Sequence, residues 1–164
     1  MSTAGSGAVT LPAELVDFVE SGVSVLVGTR DASLKPEAMR AVGCVVSRDR
    51  RTLGVLLPEL TGQRTLANLA TGSDVAVTFS RIVDHRTVQV KGACAGVRVA
   101  SAAEVEAARR WVAAFTEALY FIGMSRATAR RLRIEPLRVV EVLVGELFEQ
   151  TPGPSAGQRL ESRP

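Results

Sequence analysis

The chain has 164 residues, a length that suits one domain with a sizeable core. Hydrophobic residues make up 46% and charged residues 23%, a balance that argues against intrinsic disorder. The net charge of +3 is too small to indicate a nucleic-acid-binding protein, and an aromatic content of 4% leaves few side chains for stacking on unpaired bases.

The N-terminal residues and the apolar runs indicate where in the cell the protein is expected. The segment MSTAGSGAVT lacks the basic start and the apolar block of a signal peptide, so residues 1–10 are predicted to be a flexible N-terminus. No apolar run approaches the length of a membrane span. We therefore expect a cytoplasmic protein with no membrane and no nucleic-acid partner.

Four segments of the chain have helical patterns. In the longest, Ser101 and Glu104 have the spacing of a capping box, in which the serine hydroxyl accepts a hydrogen bond from the third helical amide. Apolar residues recur along one face of this helix as far as Ile122. The predicted helical segments are residues 11–22, 63–72, 101–123 and 125–133.

Six β-branched or apolar runs predict strands, and most follow one another through short turns. This order favours an antiparallel barrel or an α+β domain over alternating βαβ units. The tail, residues 151–164, has too many proline and glycine residues for regular structure. The predicted strands are residues 23–29, 37–47, 52–58, 74–80, 85–100 and 137–150.

A small, polar and basic cluster lies between the third strand and the short helix. Thr61, Gln63, Arg64 and Thr65 offer hydroxyl, amide and guanidinium groups at a helix start, where free amides and the helix dipole favour phosphate. Gly62 would let the backbone approach an anion closely. The pattern is neither a Walker A loop nor a Rossmann fingerprint. The alternative is that Thr61 caps the helix and Arg64 is solvated.

Residues 53–74, which include the polar and basic cluster, and the run VAVTFSRIVDHRTVQVKG that follows them together resemble part of a known family. They are similar to the FMN-binding split barrels of the pyridoxamine 5′-phosphate oxidase-like superfamily. The resemblance covers residues 11–160 and implies a mainly β, α+β fold: an antiparallel split β-barrel with a few flanking helices. It implies a flavin-binding domain at residues 11–150 and a C-terminal arm at 151–164, which we expect to dock through Phe148 and Leu160. It also implies a homodimer with FMN at the subunit interface.

The resemblance assigns phosphate-binding roles to four residues. Arg40, in EAMRAVG, matches a strand arginine that lies near the flavin phosphate in the family. Gln63, Arg64 and Thr65 match the phosphate-binding triplet at the helix start. The oxidases typically have Ser-Arg-Lys there, so one positive charge is missing from this chain.

The resemblance also suggests residues that contact the flavin ring. Thr87 falls where a side-chain amide of the family contacts the isoalloxazine edge, and Gln89 and Lys91 share its strand face by period-two alternation. Trp111 lies one step off the apolar stripe of its helix, where it either packs in the core or helps to cover a flavin or a dimer contact.

Departures from the family pattern narrow the predicted activity. Val45 stands where the oxidases keep a lysine. The tail has no counterpart of the C-terminal segment through which the oxidases supply an arginine and a histidine to the pyridoxal phosphate, so pyridoxamine-phosphate oxidation is not expected. The prediction is an FMN-dependent oxidoreductase of a small molecule, with hydride passing through the flavin. The alternatives are a non-catalytic module that binds flavin, haem or another anionic ligand, and a deazaflavin-dependent reductase.

No catalytic residue and no metal ligand emerge from the sequence. His85 is the single histidine and has no neighbouring ligand residues at metal-site spacing. Cys44 and Cys94 lie in strand-like segments without a CxxC partner, which favours a buried, reduced pair and leaves a disulfide as the alternative.

Overall fold

The structure is a computed structural model that describes residues 9–72, 74–129 and 131–160. Residues 1–8 of the predicted N-terminus and residues 161–164 of the predicted arm lie outside the described residues. In chain order the elements are α1 (Ala13–Glu20), β1 (Ser24–Arg30), β2 (Pro36–Ala41), β3 (Cys44–Val46), β4 (Thr52–Pro58), α2 (Gln63–Ala70), β5 (Asp74–Ser80), β6 (Thr87–Val99), α3 (Ala102–Phe121), α4 (Arg126–Ala129), β7 (Leu137–Glu149) and β8 (Arg159–Leu160).

The strands form one antiparallel sheet in the order β2-β1-β5-β6-β7-β4-β3, and β8 pairs with β7. The sheet closes on itself where β2 leads into β3. There the Val42 amide donates to the Leu56 carbonyl at 2.8 Å, and the Leu56 amide donates to the Gly43 carbonyl at 3.0 Å. Gly43 has a φ of 134°, which residues with a side chain rarely adopt. The predicted strand 37–47 is therefore two strands with a turn between them.

Alternate residues of the strands face the core. Val25 and Val27 of β1 and Val77 and Phe79 of β5 are fully buried, and the residues between them are exposed or half-buried. We call the face that carries these four residues the inner face and the opposite one the outer face. The prediction of a mainly antiparallel split barrel with a few flanking helices is confirmed.

Helix α3 packs against the barrel through its aromatic residues. Its predicted capping box is present, since the Glu104 amide donates to the Ser101 hydroxyl and the Ser101 amide donates to the Glu104 carboxylate. Trp111 is buried, donates from Nε1 to the Val23 carbonyl at 2.9 Å, and stacks on Phe115. In this chain Trp111 is a core residue. Across the described residues, no helix has the length and hydropathy of a bilayer span.

The tail folds back onto the barrel. The Gly157 amide donates to the Glu149 carbonyl at 2.7 Å, and the Glu149 amide donates to the Gln158 carbonyl at 2.9 Å. Leu160 pairs with Leu147 in the β7–β8 ladder and is half-buried against the core. The expected docking is confirmed for residues 151–160, although the segment contains a short strand where none was predicted.

Candidate functional site

The start of α2 presents free backbone amides. Gly62 is the N-cap residue, and no side chain caps the helix. The first intrahelical hydrogen bond runs from the Leu66 amide to the Gly62 carbonyl at 2.8 Å. The amides of the first turn lie at the positive end of the helix dipole. Thr61 is exposed and does not act as the cap, so the simple capping interpretation of this cluster is wrong.

Gly62 is needed for packing within the chain. A Cβ atom at this position would lie 2.8 Å from the Pro58 carbonyl oxygen, 3.0 Å from Leu57 Cδ2 and 3.0 Å from Met39 Sδ. The backbone of the turn is therefore pressed against β4 and β2. Gly62 therefore allows a close approach between the turn and its own barrel. The close approach of an anion, which was expected from the sequence, is not needed to explain this glycine.

Arg64 is the cation at the helix start, and it already has a partner. Its Nη1 donates to Glu37 Oε2 at 3.2 Å. The Arg64 side chain is 71% exposed and that of Glu37 is 27% exposed. An exposed pair of this kind contributes about 0–1 kcal/mol, so an anionic ligand could compete for the guanidinium.

Thr65 occupies the third position of α2 and is buried at 1% exposure. Its hydroxyl has no hydrogen-bond partner among the described residues. A buried hydroxyl without a partner costs about 1–3 kcal/mol. Asn68, one turn later, is also buried and donates from Nδ2 to Thr29 Oγ1 at 3.1 Å. Because Thr29 follows Val25 and Val27 by alternation on β1, α2 packs on the inner face.

Arg40 does not join this cluster. On β2, Glu37 and Met39 contact the start of α2, so alternation places Arg40 on the outer face. There its Nη1 donates to Ser24 Oγ at 2.7 Å, and its guanidinium carbon lies 5.3 Å from the Phe115 ring centroid. The strand position beside the helix start is therefore occupied by Met39, and within one chain Arg40 does not lie with the Gln63–Arg64–Thr65 triplet.

A row of residues crosses the outer face at matching register. Strand pairing joins Arg40 to Leu26, Leu26 to Thr78, Thr78 to Gln89 and Gln89 to Phe148. Leu26 is 41% exposed, although its strand, β1, is paired with a neighbour on both sides. The row combines apolar, amide, hydroxyl and cationic groups on a nearly continuous surface, which suits a flat ligand or a second protein surface.

The three predicted ring-contact residues share the outer face, as alternation requires. The Thr87 hydroxyl donates to the His85 carbonyl at 2.8 Å and lies 2.8 Å from the Ser80 hydroxyl. Gln89 Nε2 donates to Thr78 Oγ1 at 2.9 Å. The Lys91 ammonium lies 4.7 Å from the Phe148 ring centroid. The Thr87 hydroxyl is thus held by hydrogen bonds within its own turn. Gln89 belongs to the row, and Lys91 is exposed beside the row on the same face of β6.

The candidate residues therefore form two groups in one chain. The start of α2 lies against the inner side of β2, and the row with Gln89 and Lys91 lies on the outer face. Three described grooves, of about 560, 830 and 280 Å³, are elsewhere, and none is lined by any of the eight predicted residues. A single copy of the chain does not bring the predicted set together.

The cysteines and the histidine do not add a reactive centre. Cys44 and Cys94 are free thiols, so the disulfide alternative is wrong. Burial raises the pKa of both thiols, which disfavours the reactive thiolate. His85 has a φ of 61° in the turn before β6. Within the described ranges, no three side chains of the His, Cys, Asp and Glu types are grouped as a metal site.

Sequence reasoning missed Glu37 and Met39. Period-two alternation along PEAMRA shows that they oppose Arg40, but the face on which α2 packs depends on contacts distant in sequence. The apolar Met39 was the available signal, because an apolar side chain in a strand usually faces the core.

No protein-family profile and no curated protein sequence matches the chain. Solved structures match it in fold. A Lactobacillus delbrueckii protein provisionally named a pyridoxamine 5′-phosphate oxidase has a TM-score of 0.54 and 19% identity, over 85% of this chain and 93% of that one. HupZ of Group A Streptococcus has a TM-score of 0.55 and 18% identity, over 90% and 100%.

An F420 reductase has a TM-score of 0.56 and 12% identity, over 84% of this chain and 98% of that one. Identities this low establish the architecture and leave the ligand and the activity open to argument from the site. The chain therefore has the fold of the pyridoxamine 5′-phosphate oxidase-like split barrels.

Proposed function

We propose that this protein is a flavin-binding homodimer, in which the α2 start of one copy holds the anionic end of the ligand and the outer face of the other copy contacts its ring system. The observation that carries the proposal is the division of the candidate residues between two faces of the sheet. Each copy has both halves of a site, and neither half is complete without the other.

The distance across the sheet supports a site shared by two copies. Gln89 lies on β6, three strands from β2 in the sheet order. At about 4.8 Å per strand, this separation is about 14 Å, and the two groups also point away from each other. A ligand held at the α2 start would have to pass around β2 and cross two further strands to reach Gln89 of the same chain. In a two-fold dimer the partner's outer face can instead approach the α2 start directly.

The donors at the α2 start fit an anionic group such as the phosphate of FMN. The uncapped amides of the first turn and the exposed Arg64 guanidinium are hydrogen-bond donors within one helical turn. The Thr65 hydroxyl, which has no partner among the described residues, lies in the same turn. Gln89 offers an amide of the kind that pairs with the polar edge of a flavin ring, and the apolar Leu26 lies two strands away in the same row, beyond Thr78.

The activity that follows from this site is oxidation or reduction of a small molecule. A bound flavin would supply the hydride-transfer chemistry. The chain would hold the anionic end through Arg64, orient the ring against Gln89 and Thr78, and exclude water with Leu26 and Phe148. The fold shared with an F420 reductase and with a provisionally named oxidase supports this ligand class.

A second candidate is binding without catalysis. It is favoured by the Glu149 carboxyl, which lies on β7 next to the predicted ring contacts of β6. Hydrogen bonds from Thr151 lower the pKa of Glu149, so this carboxyl remains ionised and cannot deliver a proton near neutral pH. Oxidation of a reduced nicotinamide with an acceptor, dependent on bound flavin, would exclude this candidate.

An absorption spectrum of the purified protein, before and after addition of FMN and removal of the excess, tests the proposal. We expect the two bands of an oxidised flavin to remain with the protein and to weaken in an Arg64→Gln variant. A haem band in place of flavin bands, or a protein that retains no added flavin, would overturn the proposal.

A further inference from the structure

The charges at the α2 start nearly cancel. Arg64 is the cation there, and Glu37 Oε2 lies 3.2 Å from its Nη1. The next inward-facing residue of β2 is Met39, whose sulfur lies beside Gly62. Arg40, which would have added a second positive charge, is on the outer face with Ser24 and Phe115. This arrangement differs from a phosphate site built from several cations.

We propose that Glu37 is a specificity-determining residue that limits the charge of the ligand accepted at the α2 start. The inference rests on the proposed function. A phosphomonoester carries close to two negative charges at neutral pH, whereas a phosphodiester or a carboxylate carries one. Glu37 therefore weakens binding of the dianionic phosphate of FMN more than binding of a singly charged group, without excluding FMN from the site.

The site still has features that a ligand would satisfy. The Thr65 hydroxyl, in the first turn of α2, is buried and has no partner among the described residues, independently of the ion pair. Glu37 pairs with Thr29 in the β1–β2 ladder, which fixes the position of its backbone beside α2. Its carboxylate lies 3.2 Å from the Arg64 guanidinium, so it places a negative charge at the α2 start that repels the second negative charge of a dianionic ligand.

FMN and riboflavin provide a direct test, because they differ only by the phosphate. Their dissociation constants would be measured by fluorescence titration for the unaltered protein and for the variants Glu37→Gln, Arg64→Gln and the control Glu106→Gln. Glu106 also pairs with an arginine, at 3.5 Å from Arg109, but on α3. Riboflavin binding reports the ring site and the fold in every variant.

Glu37→Gln should raise the preference for FMN over riboflavin about five- to tenfold, as expected when one like charge is removed near a screened dianion. Glu106→Gln should leave this preference unchanged, and Arg64→Gln should lower it. Binding of both flavins with an unchanged preference in Glu37→Gln would overturn the inference alone. Binding of neither flavin to any variant would overturn the proposed function together with the inference.

Discussion

A site shared between two copies can be tested by mixing two defective variants. Arg64→Ala removes the cation at the α2 start, and Gln89→Met removes the amide of the outer row while keeping a similar side-chain volume. Either variant alone forms dimers in which both sites carry one defect. In a mixed dimer, one site carries both defects, and the other has Arg64 from one chain and Gln89 from its partner.

The expected magnitudes follow from the contacts. Arg64 is exposed and can make charge-assisted hydrogen bonds worth about 1.5–3 kcal/mol, so its loss should weaken binding about 10- to 100-fold. Gln89 can contribute a neutral hydrogen bond of about 0.5–1.5 kcal/mol, which corresponds to about two- to tenfold. If chains pair at random, half of the dimers are mixed, and about one quarter of all sites should regain normal affinity.

The assay is a flavin titration of each variant and of an equimolar mixture after unfolding and refolding together. The mixture should show a class of sites with the affinity of the unaltered protein, which neither variant shows. Unaltered protein carried through the same refolding controls for losses in the procedure. A mixture that binds only as the average of its components would place the site within one chain and refute the argument.

Three further predictions concern assembly and stability. Leu26→Asp, in the outer row, should convert the dimer to a monomer in sedimentation experiments, whereas Val83→Asp, which replaces another exposed apolar side chain, should not; a dimer in both would refute the outer face as the interface. Hydrogen bonds from Arg98 lower the pKa of Glu104 to about 2 from its ordinary 4.5, so this carboxylate stabilises the fold above about pH 4.5 and loses that effect as the pH falls towards 2. Glu104→Gln should therefore reduce the free energy of unfolding by about 1–2 kcal/mol at pH 7, with no difference from the unaltered protein near pH 2 in denaturant titrations. Deletion from Thr151 onward removes several backbone hydrogen bonds and should lower the melting temperature by about 5–10 °C; an unchanged melting curve would show that the docked tail contributes nothing.

Local patterns predicted the parts of the fold that depend on local geometry. The capping box at Ser101 and Glu104 is present because its hydrogen bonds span one helical turn. The common face of Thr87, Gln89 and Lys91 follows from period-two alternation in a regular strand. In both cases the interacting residues are close in sequence, so no knowledge of the rest of the chain is needed.

The partners of Arg40 and Arg64 could not be predicted in the same way. Arg40 contacts Ser24 and Phe115, which are 16 and 75 positions away, and Arg64 contacts Glu37 across 27 positions. Sequence pattern shows that neighbouring β2 residues face opposite ways, but it does not show which face α2 covers. Met39 and Arg40 are adjacent in β2 and therefore face opposite sides of the sheet. Which of the two lies beside α2 depends on a single residue of register.

The division between the two faces also explains why resemblance placed more residues in one site than one chain can bring together. A sequence comparison matches the residues of one chain to every ligand-contacting position of a family. It does not distinguish which copy of a dimer supplies each contact. In a symmetric dimer each copy contributes one half of each of two sites, so a single sequence contains the residues of both halves. The structure separates those halves because β2 lies between them. In the dimer that we propose, Arg64 and Gln89 contact one ligand from different molecules, and variants at the two positions should complement each other.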